Sequence, residues 1–116
     1  MKLRMLIVFL TLQMIIGVGM ASAFNSVDLD TLRRTNKCVG CDLKSANLRG
    51  AYLKGANLEN AKLKYVKFQK AYLFNVNFNG ANLKGANLEG ALWTDGVTIC
   101  KKGSIGKCLA ELPEKE

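Results

Sequence analysis

"KGANLEGA" at residues 84–91 all but repeats "KGANLENA" at 54–61, and "SANLRGA" at 45–51 is a third version of the same phrase. The recurring element is Ala-Asn-Leu, and it returns every five residues. With Leu43 as the first centre, the large apolar positions fall at Leu43, Leu48, Leu53, Leu58, Leu63, Phe68, Leu73, Phe78, Leu83 and Leu88, with Trp93 as a degenerate eleventh. Two residues before each stands a small or β-branched apolar residue, from Cys41 and Ala46 through Val66 and Val76 to Ala91. The remaining positions hold mostly Asn, Lys, Gly, Glu or Tyr. Neither regular structure accommodates this period. An α-helix advances about 100° per residue, so a five-residue step would wind the Leu row around every face. On a strand, an odd step sends successive centres to opposite sides of the sheet. What satisfies the pattern is a chain extended for three residues, small-in, polar-out, large-in, that then turns a corner. Four such sides close a square of twenty residues.

The run from Cys41 to Gly90 resembles the pentapeptide-repeat family, whose pattern is A-[DN]-L-x-x, with departures at Val66 and Val76, which place Val before Phe. The resemblance implies an all-β fold, a right-handed quadrilateral β-helix of about 2.5 to 3 coils stacked at the inter-strand spacing of about 4.8 Å. Gly at 50, 55, 80, 85 and 90 falls at the corners, where a missing Cβ permits a tight turn. Asn before each centre is placed to bond back to nearby backbone.

Working outward, the apolar residues crowd the front of the chain. "MKLRMLIVFLTLQMIIGVGMASAF" opens with Lys2 and Arg4, runs without a charge from Met5, and offers Ala21-Ser22-Ala23 as a small-x-small cleavage site. These are the three parts of a secretory signal, so the expected mature protein starts at Phe24 and is exported to the periplasm or the extracellular space. An uncleaved anchor is the alternative, because about 20 uncharged residues suffice to span a bilayer. The expected division is a signal peptide over 1–23, a lead-in and cap over 24–40, the repeat over 41–95, and a C-terminal cap and tail over 96–116. The formal charge of +8 falls to +6 when Lys2 and Arg4 leave with the signal. Such a balance favours acidic partners, and outside the cytoplasm these are an unidentified protein or an anionic envelope component, with no nucleic acid expected. Membrane contact is expected only through the signal peptide or surface charge, and a dimer is left open.

A short stack needs reinforcement at its ends, and the four cysteines bracket the repeat: Cys38 and Cys41 before it, Cys100 and Cys108 after it. Pairing across the ends would have to span more than two coil spacings, about 10 Å, whereas a disulfide tolerates about 7 Å between Cα atoms. The expected bonds are therefore Cys38 with Cys41 and Cys100 with Cys108, consistent with an oxidising compartment. The C-x-x-C also carries a competing reading as a thiol-disulfide redox pair, although that motif ordinarily sits in a βαβ context. A zinc site would need four converging ligands, and the chain contains no His.

Catalysis finds little footing. Without His, no Ser-His or Cys-His pair can be drawn, and Glu59 and Glu89 fall on opposed faces of a four-sided stack, unable to act as an acid and base pair. No enzyme activity and no cofactor are expected. Some members of the family act on DNA gyrase through a DNA-like acidic surface, but residues 41–90 carry eight basic against three acidic side chains, so that role is not carried over. Lys44, Lys64 and Lys84 each follow a centre at twenty-residue spacing and should form one vertical ladder, with Lys62 on the same side. It is a candidate anion-binding surface. On another side Tyr52 and Tyr72 should stack likewise.

Overall fold

The structure is a computed structural model that describes residues 24–110; the expected signal peptide and the acidic tail lie outside the described residues. It begins with a helix, α1 (Ser26–Thr35), which the all-β expectation did not include. Asn25 starts it: its side-chain oxygen accepts from the backbone N–H of Val27 at 2.9 Å and of Asp28 at 3.3 Å, satisfying donors that have no partner inside the helix. Asp28 in the first turn and Arg33 and Arg34 in the last complement the helix dipole. Asn36, left-handed at φ 60°, ends it by donating its N–H to the Leu32 carbonyl at 2.9 Å. Leu29 and Leu32 share one face and are buried.

From Asn36 the chain takes up the five-residue rhythm, one unit ahead of the first centre read from the sequence, with Cys38 in a centre position and Gly40 at a corner. Successive coils meet through parallel single-residue bridges such as Lys37 to Asn57, Asp42 to Lys62, Asn47 to Lys67 and Tyr52 to Tyr72. Every parallel bridge joins residues twenty apart, so the coil has four sides, and the run to Asp95 makes three coils. Side 1 carries Leu43, Leu63 and Leu83. Side 2 carries Leu48, Phe68 and Leu88; side 3, Leu53, Leu73 and Trp93; side 4, Cys38, Leu58 and Phe78. No continuous strand is formed among the described residues.

Each unit pairs by one rule. The centre and the corner residue two later donate upward, as Leu43 N–H does to Lys62 O at 2.9 Å and Ser45 N–H to Lys64 O at 2.8 Å. The residue before a centre donates downward, as Lys62 N–H does to Cys41 O at 2.8 Å. Between units, the N–H of the next small residue closes a turn onto the centre carbonyl, as Ala46 does on Leu43 at 3.0 Å. The corner residue has positive φ, which makes these type II turns. Glycine supplies that conformation without strain, yet in the middle coil Asn60, Tyr65, Lys70 and Asn75 adopt it. The side chains of Asn60, Tyr65 and Lys70 lean over the coil above: a Cβ built on Gly80 would collide with Asn60 Oδ1, and one on Gly85 with the Tyr65 ring.

Inside the square, Leu43, Leu48, Leu53, Leu58, Leu63, Phe68, Leu73 and Leu88 are buried, whereas Phe78, Leu83 and Trp93 are only half-buried. Phe68 meets Phe78 edge-on at 6.2 Å between ring centroids, and Phe78 stacks on Trp93 at 5.7 Å. After Asp95 the chain reverses and runs antiparallel over the last coil, bridging Ile99 to Leu92 and Ile105 to Asn87.

Candidate functional site

The polar position before each centre explains which surface residues the fold requires. Asp42, Asn47, Asn57, Asn77, Asn82 and Asn87 each accept, through a side-chain oxygen, from the backbone N–H two residues later, at 3.0 to 3.3 Å. Each such bond braces the approach to a corner. Lys62, Lys67, Tyr52, Tyr72 and Leu92 occupy the same position without making it, so the fold does not dictate their identity. Side 3 gives up the bond in all three coils.

Lys44, Lys64 and Lys84 lie on side 1 in the positions following its three centres, and the backbone bond from Ser45 to Lys64 O repeats as Tyr65 to Lys84 O at 3.0 Å. Lys44 and Lys64 are half-buried, while Lys84 and Lys62 are exposed. The foot of the same side holds an acid: Asp42 bridges Lys62, accepts from Lys44 N–H, and has its own N–H held by Asp28 Oδ2 at 2.8 Å. Among the described residues the single ion pair is Arg34 with Asp30, so none of the side 1 lysines is neutralised by a salt bridge.

On the opposite side 3, Tyr52 and Tyr72 stand 72% and 50% exposed with ring centroids 5.7 Å apart. Beside them Lys54 Nζ sits 5.4 Å from the centre of the Phe74 ring. Tyr52, Tyr72, Phe74, Leu92 and Val97 line an open groove of about 420 Å³ that ends at Asp95. The sequence reading picked out the two tyrosines and missed Lys54 and Phe74, although their twenty-residue separation was the available signal. The Asp95 carboxylate at the groove's upper end is held below its ordinary value, first by the Thr98 hydroxyl and then by the backbone N–H groups of Thr98 and Val97.

The cysteines pair as Cys38 with Cys41 and Cys100 with Cys108. The first bond spans the ends of one corner turn, from a centre to the next small position, and its sulfurs belong to residues only 2% and 9% exposed. An attacking thiolate has little access there. Glu59 is half-buried on side 4, and Glu89, on side 2, accepts from Gly103 N–H at 3.0 Å, which ties it to the return segment. No cluster of three or more His, Cys, Asp or Glu suited to a metal occurs among the described residues, and none of their helices is long and apolar enough to cross a membrane.

A four-sided stack with differently dressed sides is a repeat scaffold. The family profile for pentapeptide repeats matches residues 41–80 and 71–92, in eight copies, and the chain is a pentapeptide-repeat protein. That family's repeat implies a quadrilateral β-helix, and its members are generally non-enzymatic. A search of curated proteins returned no match.

Proposed function

We propose that the protein is an exported, non-enzymatic module, a right-handed quadrilateral β-helix that binds an anionic component of the cell envelope through Lys44, Lys64, Lys84 and Lys62. The observation that carries this reading is the row of side 1 lysines, one per coil and none engaged in an ion pair. Like charges at stacked positions repel one another, and an anion laid along the row relieves that repulsion. Export is supported by the signal-like sequence and by two disulfides, which persist outside the reducing cytoplasm. Retention on anionic vesicles or wall polymer should fall with added salt, and should fall further for a triple Lys→Gln variant at 44, 64 and 84 than for one at Lys37, Lys101 and Lys115. Equal losses would reduce the effect to net charge, and no retention by the parent chain would refute it.

A second reading is favoured by the complete loss of the bracing bond on side 3. There the exposed aromatic groove is a contact surface for a protein partner, anchored on Tyr52, Tyr72 and Phe74. Tyr72→Asn, which restores the residue type that braces other units, should preserve folding while abolishing such a contact in a pull-down from envelope extract.

A further inference from the structure

The rule by which coils pair exposes an unfilled edge at the upper end. On side 2 the return segment completes the pattern: Leu88 N–H donates to Ser104 O at 2.8 Å, Gly90 N–H to Cys100 O at 2.7 Å, and Ala86 O accepts from Gly106 N–H at 2.8 Å. On side 3 it does so again through Trp93 N–H to Thr98 O at 2.8 Å and Cys100 N–H to Ala91 O at 2.9 Å. It stops there. On sides 4 and 1 the N–H groups of Phe78, Gly80, Leu83 and Gly85 and the carbonyls of Val76 and Ala81 have no hydrogen-bond partner among the described residues, although their counterparts one coil below are all paired. The apolar column is open at the same place: Leu58 and Leu63 are 0% exposed, while Phe78 and Leu83 directly above them are half-buried.

We infer that this edge is a docking site for an extended, acidic segment of another polypeptide, added as a further β-strand across sides 4 and 1. Three observations select that occupant. The same edge already accepts an extended segment on its other two sides, where residues 98–106 pair antiparallel with the last coil, so a strand on sides 4 and 1 continues an established interface. Four donors against two acceptors leave a surplus of N–H groups, which calls for a partner rich in acceptors. Lys84 stands exposed on side 1 beside that edge, with no ion pair, and adds positive charge to the donor surplus. A second copy meeting this one end to end would set the same donor surplus against itself. The inference is independent of the lysine row and shares only Lys84 with it.

Site-resolved amide exchange on the full chain tests it. The probe is an end-blocked octapeptide of alternating Glu and Val at millimolar concentration, with a Lys-Val octapeptide as control. The acidic peptide should slow exchange at Phe78, Gly80, Leu83 and Gly85 by about tenfold or more while leaving Leu48 and Leu53 unchanged. A Lys44→Gln, Lys64→Gln variant should show the same protection, which separates this site from side 1 binding. The inference is overturned if the four amides do not respond, if the Lys-Val peptide protects them equally, or if they are already slow without peptide. Slowness that rises with protein concentration would assign the edge to a second copy, and concentration-independent slowness would assign it to another part of this chain.

Discussion

The two ends of this solenoid are closed by different means. At the lower end a helix does most of the work: Leu29 and Leu32 of α1 seal the apolar column and the Asp28 carboxylate accepts from Asp42 N–H, with one backbone bond added from Asn25 N–H to Asp42 O at 2.9 Å. At the upper end backbone does it, through a return segment that extends the hydrogen-bond pattern over two of four sides. A helical plug covers a column without matching its edge, whereas a strand cap matches the edge only as far as it runs. This is why apolar centres are sealed below and half-open above. Repeat proteins stay unassociated only when their terminal edges are covered; among the described residues both ends keep unpaired backbone, such as the N–H groups of Asn47 and Tyr52 below, but only the upper end also leaves its apolar column part-exposed.

The contrast breaks most sharply at the column itself. Leu32→Ala removes a plug that is 1% exposed and should destabilise the protein by about 2 to 5 kcal/mol. The half-buried Leu83 at the open mouth should lose only about 1 to 2 kcal/mol on the same change, since less surface leaves a packed environment. Denaturant midpoints of the two variants decide it, and equal losses would mean that the upper end is as closed as the lower.

Next in size come the staples. The Cys100–Cys108 bond closes a separation of eight residues and holds the return segment in place, so replacing both by Ala should lose about 2 to 3 kcal/mol. The Cys38–Cys41 bond, at a separation of three, spans a turn already closed by a backbone bond of 3.3 Å and should contribute less, about 2 kcal/mol. Thermal unfolding of the two double variants should therefore rank them upper before lower.

Corners sharpen the comparison between coils. Gly50 in the first coil has nothing within 4 Å of an added Cβ, and Gly50→Ala should lose about 1 kcal/mol from its positive φ alone. Gly85 carries the same φ demand together with the Tyr65 ring in the path of an added Cβ, so Gly85→Ala should lose clearly more, about 2 kcal/mol or above. Urea titration measures both. Comparable to Gly50→Ala is the cap of α1: Asn25→Ala should lose about 1 kcal/mol, seen as selective loss of exchange protection in α1.

The repeat was legible because two physical demands recur in every unit. A large apolar residue must fill the column, and an Asn or Asp before it braces the corner, so Asn82-Leu83 and Asn87-Leu88 declare themselves. The first unit, Asn36 to Gly40, was hidden because Cys38 stands where Leu is expected and Asn36 stands where Ala is expected. Helix α1 had its signals in plain sight, Asn25, Asp28, Arg33, Arg34 and Asn36, but only Leu29 and Leu32 mark a buried face in ten residues. So brief an amphipathic pattern acquires meaning from the column it plugs. The return segment has no period, and its pairing depends on where the last coil leaves an edge. For the same reason the partial exposure of Phe78 and Leu83 could not be read from a register that treats every centre alike.

The smallest effect concerns the turn that launches the return segment. Asp95 accepts from Val97 N–H at 3.0 Å, from Thr98 N–H at 2.8 Å and from the Thr98 hydroxyl, and these bonds hold its carboxyl below the ordinary value near 3.8. Because the folded value is depressed, the contribution is fully present above the unfolded value and is lost as pH falls through the folded one. The turn at the upper end should therefore loosen as the solution is taken below about pH 4. Amide exchange at Val97 and Thr98, followed from pH 5 downward and corrected for intrinsic rates, should show this opening. Asp95→Asn should remove the pH dependence while raising exchange there at neutral pH. Persistence of the same acid-induced opening in that variant would transfer the effect to another group.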